Sequence, residues 1–501
     1  MSLLNMLVSQ RRIMLLLIAA LGSAAAIGLL MARQPLPTIV AASAAPLAFA
    51  LLIWPDILVL ATVFILYTNA AVVAVRFHGL PAFAIAAIPL LLVIPFAHTL
   101  IFRRQKIILN PVLKLLILFL LIQVLGALAS RDVNASEQSL ATFATEGIGL
   151  YFLIINTVRT PKMLRQATWA LLIAGALLGG ASAYQQVTQT YDNNYGGFAQ
   201  IMAGSFRTGA ETIQGEVRQF RLAGSIGETN RYAQIMLMLV PLGLFRFWGE
   251  RSAWLRVLAA LATGLTALGG VLAFSRGAAV GFVLMLALMV VMRYINLRRL
   301  AVMVLGVALV LTAIPQYGTR LASLQGLSSF LAGEGTDSVD GAIEGRATET
   351  LAAALVFADY PLFGVGPGMF KYYAQEYAEL VDIRALTTTR QAHNLYLGVA
   401  AENGVFGLIC LLVILFVTLR DLVRGRARWI QPRPDLAHLM TGYMFAVVAY
   451  MTTGLFLHFA YIRYFWLIMA LAAAASSMVE EDPGATAEST GGGQQATSAA
   501  L

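Results

Sequence analysis

Apolar segments of a length suited to membrane crossing recur along the sequence, separated by short polar stretches. A helix needs roughly 17 to 25 apolar residues to span a bilayer, and about fourteen segments meet this rule. The region 36–76 divides least clearly, because only Trp54, Pro55 and Asp56 separate two segments. The predicted spans lie near 13–31, 36–54, 56–76, 81–102, 107–129, 140–158, 164–185, 229–248, 253–274, 277–293, 299–316, 393–419, 437–457 and 461–479.

Lysine and arginine cluster in every second polar stretch, from Arg11 and Arg12 to the group between Arg420 and Arg433. Cations in short loops favour the cytoplasmic side, so this alternation predicts cytoplasmic termini and two long outer loops. In the larger loop, 345–358 is helix-like and 333–341 is acidic and flexible. The predicted organisation is N-terminal transmembrane helices (1–186), a first outer loop (187–228), central transmembrane helices (229–316), a large outer loop (317–392), C-terminal transmembrane helices (393–479) and a disordered cytoplasmic tail (480–501).

Composition narrows the class of protein. Hydrophobic residues make up 59% of the chain and charged residues only 12%, against about 25% charged in soluble proteins. We therefore predict an all-α polytopic membrane protein with about 12–14 transmembrane helices and one large outer-loop subdomain. The net charge of +9 would also suit nucleic acid, but cations between apolar spans are better explained as topology signals, so no nucleic-acid partner is expected.

Two further features of the chain carry little functional information. Residues 11–30 are like a signal peptide with a basic start, but a first membrane span is favoured because many more spans follow. The single cysteine, Cys410, lies in an apolar run, which excludes a disulfide within the chain.

Three places put cationic or titratable groups at span ends that span parity assigns to the outer face. An arginine at such a position is often only a snorkelling anchor. Arg276 is less ordinary, because small residues follow it and a helix start there would direct N–H groups towards an anion. Arg221 has a similar setting, and two converging guanidiniums suit a diphosphate. The three places are Arg218–Arg231 (with Arg218, Arg221 and Asn230), Phe274–Ala279 and His393–Asn394.

His393 stands at the start of a long apolar segment, after a turn rich in glycine. A lone histidine there is more often structural, but a neutral imidazole can take a proton from a hydroxyl near neutral pH. Glu402 lies within the same segment, and its charge predicts that it faces a polar cavity or a partner. Solvated positions are favoured for the other loop charges, with Arg346 the least ordinary because it starts the helix-like stretch.

The sequence gives only weak support for a metal site or a cofactor site. Asp337, Asp340 and Glu344 could hold a divalent cation, but an acidic flexible loop is more often merely solvated. No P-loop, Rossmann fingerprint, zinc-protease motif or serine-nucleophile elbow stands in a suitable context. We therefore expect neither a metal nor a cofactor.

Taken together, the short stretches around Arg221, Arg276, Arg346, Pro361 and His393 resemble motifs of the O-antigen ligase and O-antigen polymerase superfamily of bacterial envelope glycan assembly. Each is short, but their order and spacing over residues 215–410 are jointly specific. An aromatic residue often found four positions after the arginine matching Arg346 is here Thr350. The matching stretches are Arg221–Gly224 with Asn230, Ser275–Gly277, Gly345–Arg346, Pro361–Gly366, and His393–Tyr396 followed by Gly404–Gly407.

The resemblance implies a membrane-embedded, inverting, metal-independent glycosyltransferase of the bacterial inner membrane with a periplasmic active site. The donor would be a glycan on undecaprenyl diphosphate, and the acceptor a sugar hydroxyl of the lipid A core or of another glycan. Arg221 and Arg276 would hold the diphosphate and His393 would activate or orient the hydroxyl. The predicted substrate-binding residues are Arg218, Asn230, Arg346, Gly364, Gly366, Asn394 and Glu402.

Several alternatives remain open on the sequence alone. Ligase and polymerase are not separated, and other polysaccharide-assembly proteins are candidate partners beside the bilayer and the glycans. A transporter or flippase of a lipid-linked glycan is the main rival; it should carry ionisable residues near mid-membrane in several helices. A structural scaffold would leave the arginines and His393 unexplained.

Overall fold

The computed structural model describes residues 55–202, 220–313, 341–386 and 388–478. Helices account for 76% of these residues, and eight are long and apolar enough to cross a membrane, or nine if one bent pair counts as a span. The prediction of an all-α polytopic membrane protein is thereby confirmed. The predicted spans 13–31 and 36–54, the tail 480–501, and Arg218, Asp337 and Asp340 lie outside the described residues. The chain divides into two compact units, 1–58 and 59–501.

The helices of the N-terminal part match the predicted spans from 56 onwards. Asn69, in a left-handed conformation (φ 61°), separates the first two helices, which bend by 59°. A π-helix interrupts the span that covers Val133–Thr157. The helices are α1 (Pro55–Thr68), α2 (Ala70–His78), α3 (Phe83–Leu90), α4 (Val93–Ile101), α5 (Pro111–Leu128), α6 (Val133–Thr142), the π-helix (Phe143–Gly149), α7 (Leu150–Thr157) and α8 (Pro161–Thr188).

The C-terminal part contains the segments that carry the predicted site. The helices of this part are α9 (Thr229–Gly249), α10 (Ala253–Leu272), α11 (Arg276–Val291), α12 (Leu297–Ala313), α13 (Gly341–Asp359), α14 (Phe370–Val381), α15 (Leu395–Trp429), α16 (Pro434–Thr453) and α17 (Ile462–Ser477). Two of these, α11 and α17, are shorter apolar helices.

Helices α9 and α16 pack against each other at the centre of the core. Both are apolar on nearly every face, as expected for enclosed helices, and some of their polar groups are hydrogen-bonded. Gln234 of α9 donates to the Thr453 hydroxyl of α16 over 2.9 Å, and Tyr67 donates to the carbonyl of Ile235 over 2.7 Å. These bonds satisfy polar groups that would be costly to leave unpaired in this setting.

A small antiparallel hairpin was not predicted. Strands β1 (Gln200–Met202) and β2 (Arg221–Gly224) pair within what was expected to be an irregular outer loop. All four residues of β2 are buried, so no polar–apolar alternation marks the strand in the sequence. The hairpin ends at Gly224 (φ 54°), where a side chain would collide with the Tyr232 ring.

The helix-like part of the large loop forms α13, which begins at Gly341 rather than at Gly345. It packs against α14 and α15 around a separate apolar core that includes Val356, Phe370 and Tyr373. The Tyr377 hydroxyl donates to Asp359 over 2.6 Å and ties the two loop helices together. The packed helices of this subdomain therefore support the segment that precedes His393.

Candidate functional site

Arg221 is fixed by two hydrogen bonds at the start of β2. Its Nε donates to the carbonyl of Ala273 over 2.9 Å, and its Nη2 donates to Oδ1 of Asn230 over 2.9 Å. The side chain is only 5% exposed. Asn230 therefore orients this guanidinium, and Ala273 places it against the turn that leads into α11.

Arg276 occupies the first position of α11. Ser275 caps that helix by accepting from the Ala278 amide, and Phe274 just before it is left-handed (φ 49°). Arg276 is 7% exposed. Because Arg221 bonds to Ala273, only three residues earlier in the chain, both arginines lie at the same end of α11, where the helix dipole also favours an anion.

The connection 454–461 between α16 and α17 links α11 to the start of α15. Gly277 of α11 lies so close to Phe456 that a side chain there would approach its Cβ to 2.9 Å. On the other side, the amide of Leu395 donates to the carbonyl of Gly454 over 2.7 Å, and Asn394 Nδ2 donates to that of Leu455 over 3.2 Å. The arginines and His393 are thus arranged around one segment, 454–458.

His393 precedes the helix that Asn394 caps by accepting from the Tyr396 and Leu397 amides. Its Nδ1 lies 3.1 Å from the carbonyl oxygen of Gln391 and 2.6 Å from Oε2 of Glu349. A carbonyl oxygen can only accept, so the bond to Gln391 assigns the proton to Nδ1. The neutral ring then has its lone pair on Nε2, the nitrogen able to take a proton from a hydroxyl.

Glu349 was not predicted. It lies on α13, and its side chain is 4% exposed beside the 22% exposed His393 ring. The sequence contains a signal, since Glu349 follows Arg346 by three residues and so shares a helix face with it. Its pairing with a residue 44 positions later has no sequence signature. A carboxylate at this distance fixes the ring and stabilises an imidazolium.

His458 lies in the connection 454–461 between α16 and α17. Its ring centroid is 5.8 Å from that of His393. Burial, with the charges of Arg231 and His393 as further causes, lowers the pKa of His458 well below its ordinary value. His458 is therefore a neutral neighbour of His393 near neutral pH.

Arg231 is the second residue that sequence reasoning missed as a site candidate. It is fully buried in α9, where its Nη1 donates to Gln234 over 3.0 Å and its Nε lies 3.8 Å from Glu228. Its Nε and Nη2 form no hydrogen bond to any described residue. The available signal was a cation inside an apolar span, which is a mark of function in membrane helices.

Gly364 and Gly366, predicted to bind substrate, lie in a turn that makes a close backbone contact with α15. Both have positive φ, 69° and 102°, and a side chain on Gly364 would approach the carbonyl carbon of Glu402 to 2.4 Å. Helix α15 breaks at Gly404 (φ 65°). The turn 361–366 fills this break, with the amides of Val365 and Gly366 donating to the carbonyls of Ala401 and Glu402 over 2.9 and 3.0 Å.

The remaining predicted residues take different positions. The carboxylate of Glu402 accepts from the Phe370 amide over 3.3 Å, at the start of α14, and lines a cavity. Arg346 is half-buried on α13, one turn before Glu349. Within the described residues, no group of three or more His, Cys, Asp or Glu side chains could hold a metal ion.

Comparison with known proteins is consistent with this arrangement. No curated protein matches the chain. The family described as O-Antigen ligase matches residues 259–412, a range that includes Arg276, Arg346, Glu349 and His393 but not Arg221 or Arg231. The family implies lipid-linked glycan substrates and a membrane setting. The predicted resemblance of this multi-pass membrane protein to the O-antigen ligase and polymerase superfamily is thereby confirmed over residues 259–412.

Proposed function

We propose that the protein transfers or polymerises glycan from an undecaprenyl-diphosphate-linked donor onto a sugar hydroxyl at the periplasmic face of the bacterial inner membrane. The observation that carries the proposal is the arrangement around segment 454–458, where Arg221 and Arg276 lie on one side and His393 on the other. Fixed cations aimed at a leaving group and a base beside an acceptor are what such a transfer needs.

The reaction is a displacement at the anomeric carbon. The acceptor oxygen attacks this carbon from the face opposite the diphosphate, and its proton passes to Nε2 of His393. The bond between the anomeric carbon and the diphosphate oxygen breaks, and the leaving group departs with the electron pair and so gains negative charge. Attack from the opposite face inverts the configuration, and Arg221 and Arg276 bind the charge of the leaving group in the role that a metal ion would otherwise have.

Glu349 and Asn230 act on these groups rather than on the substrates. Glu349, 2.6 Å from Nδ1 of His393, stabilises the imidazolium formed when Nε2 takes the proton. Asn230 holds the guanidinium of Arg221 in place by a 2.9 Å bond. Arg218 and Arg346 are proposed to bind substrate, and Asn394 to fix the position of His393.

One assay tests the proposal directly. Purified protein in lipid nanodiscs is given a glycan on undecaprenyl diphosphate, with or without lipid A core, and the products are separated by length. One block joined to the core indicates a ligase, and a ladder on the lipid carrier indicates a polymerase. Absence of both products under conditions in which the donor is bound would remove the proposed function.

The alternative of a transporter is favoured by one observation. Arg463 lies 3.2 Å from Glu146, which belongs to the π-helix inside a membrane span, and ionisable pairs within spans often mark transport pathways. A flippase would move a fluorescent lipid-linked glycan across a vesicle membrane without forming a new glycosidic bond. That result, with no change in product length, supports transport instead.

A further inference from the structure

A cavity of about 350 Å³ lies beside His458, and neither Arg221 nor Arg276 is among its lining residues. Its walls come from α5, α6, the turn before α14, the first part of α15 and the connection 454–461. We propose that this cavity binds the acceptor glycan, holding the sugar whose hydroxyl attacks the donor. The proposal rests on the proposed function and adds the substrate class and the residues of a second subsite.

The lining of the cavity suits a sugar. Amide and hydroxyl side chains can both donate and accept, as sugar hydroxyls do. Three lining residues, Gln123, Asn403 and His458, each have one buried polar atom without a hydrogen-bond partner in the described part of the chain. The aromatic side chains of Phe119 and Phe459 contribute apolar surface. A volume of this size is in the range of small-ligand pockets, about 300–1,000 Å³.

The charges around the cavity argue against a diphosphate there. None of the described lining residues is an arginine, and Lys371 is the cation among them. Glu402 and Glu146 also line the cavity, the latter 3.2 Å from Arg463, and carboxyl oxygens can accept hydrogen bonds from sugar hydroxyls. The donor headgroup and the acceptor sugar are therefore assigned to opposite sides of the same segment.

The position of the cavity connects it to the base. Gln391 and Ala392, the two residues before His393, line it. His458 also lines it, and its ring lies 5.8 Å from the His393 ring. A sugar in the cavity would thus present a hydroxyl to the pair of imidazoles, and the arginines would hold the diphosphate beyond them.

Two substitutions on α6 test the proposal. Thr142→Trp fills the cavity, and Gln138→Leu removes an amide from its wall with little change in size. Thr145→Trp is the matched control, because Thr145 is exposed on the next turn, also donates its hydroxyl to a backbone carbonyl, and does not line the cavity. Folding is checked by size-exclusion chromatography and thermal unfolding, and Gln138→Leu decides if Thr142→Trp does not fold.

The probes are soluble glycans, so that acceptor and donor can be varied separately. One arm of the experiment offers the glycan released by mild acid from the lipid-linked donor, and the other offers core oligosaccharide freed of lipid A. The glycan that the protein accepts identifies the source of the acceptor. We expect the acceptor KM to rise at least about tenfold, the effect of losing one or two hydrogen bonds. The donor KM should change less than about twofold, and Thr145→Trp should match the parent protein.

The possible results are distinct. Unchanged acceptor KM in both cavity variants, or a rise confined to donor KM, would overturn the proposal. If the parent protein transfers no glycan, the proposed function fails, but equilibrium binding still decides on the cavity. Binding of either glycan that Thr142→Trp weakens supports the subsite, whereas displacement of the glycan by inorganic diphosphate assigns the cavity to an anion and overturns it.

Discussion

The two sides of segment 454–458 differ in the kind of charge that they present. On the α11 side, Arg221 and Arg276 are 5% and 7% exposed, and Arg221 is held by a backbone carbonyl and an amide side chain. On the α15 side, His393 contacts Glu349, and the neutral His458 is its neighbour. The first side has permanent positive charge, whereas the second can gain and lose a proton. Leaving-group binding and proton transfer are thus separated in space.

The separation has a physical reason. A guanidinium next to the imidazole would disfavour its protonation, and a carboxylate next to the arginines would compete with a diphosphate for their donors. Glu349 contacts His393, and the guanidinium of Arg390 lies 4.0 Å from the same carboxylate, which can stabilise an imidazolium at this site. Variants on the two sides should therefore change different kinetic parameters.

The largest effect is expected for His393→Ala. Removing the proton acceptor should lower kcat by about 10²–10⁴-fold, the usual contribution of a general base, while the donor KM stays close to that of the parent. Steady-state transfer assays with purified protein measure both. His78→Ala is the control, since this exposed histidine contacts the carbonyl of Gly196 instead. Full activity of His393→Ala would remove the imidazole from the mechanism.

The second-largest effect is expected for Arg276→Ala. The kcat/KM for the donor should fall about 10²–10³-fold, because one of the preorganised positive charges that bind the leaving group is lost. Arg276→Lys should recover only part of this, since an ammonium cannot bind two phosphate oxygens as a fork does. Arg293→Ala, an exposed arginine beyond the other end of α11, provides the control. A loss expressed only in the acceptor KM would contradict the assignment of the two sides.

A smaller effect is expected for Glu349→Gln. The uncharged amide keeps the size of the side chain but stabilises an imidazolium less well, so kcat should fall about tenfold, the equivalent of ~1.4 kcal/mol. Glu344→Gln, on the same helix, should leave kcat unchanged. Equal Tm values for parent and variant, measured together with kcat, separate a role in positioning His393 from a loss of stability. A donor KM that rises while kcat stays constant would contradict the role of Glu349 in stabilising the imidazolium.

The smallest effect concerns stability and pH. The pKa of His458 is lowered by burial, so below about pH 6.5 the unfolded chain binds a proton that the folded chain does not. Stability should therefore fall as pH decreases, by at most ~1.4 kcal/mol per pH unit for one group. In His458→Gln this contribution is absent, and apparent Tm between pH 7 and 5 should fall less steeply. Parallel curves would show that His458 does not titrate on unfolding.

Much of the arrangement was predictable because it depends on local patterns. Span length located most of the membrane helices from 56 onwards, but not α14, which lies in the large loop. The polar interruption around Glu402 and Gly404 was visible in the sequence and coincides with the break in α15. The hairpin was not predicted, because a buried strand of four residues has no distinctive periodicity.

The sequence alone determined where the helices run, which residues carry charge at their ends, and which family motifs occur, since all of these are properties of neighbouring residues. Only the tertiary structure decided that Glu349 meets His393, that His458 lies beside it, and that Gly364 docks against Glu402. These contacts join residues 38 to 65 positions apart. No periodic pattern encodes them, because they arise when packing brings separate helices and loops together.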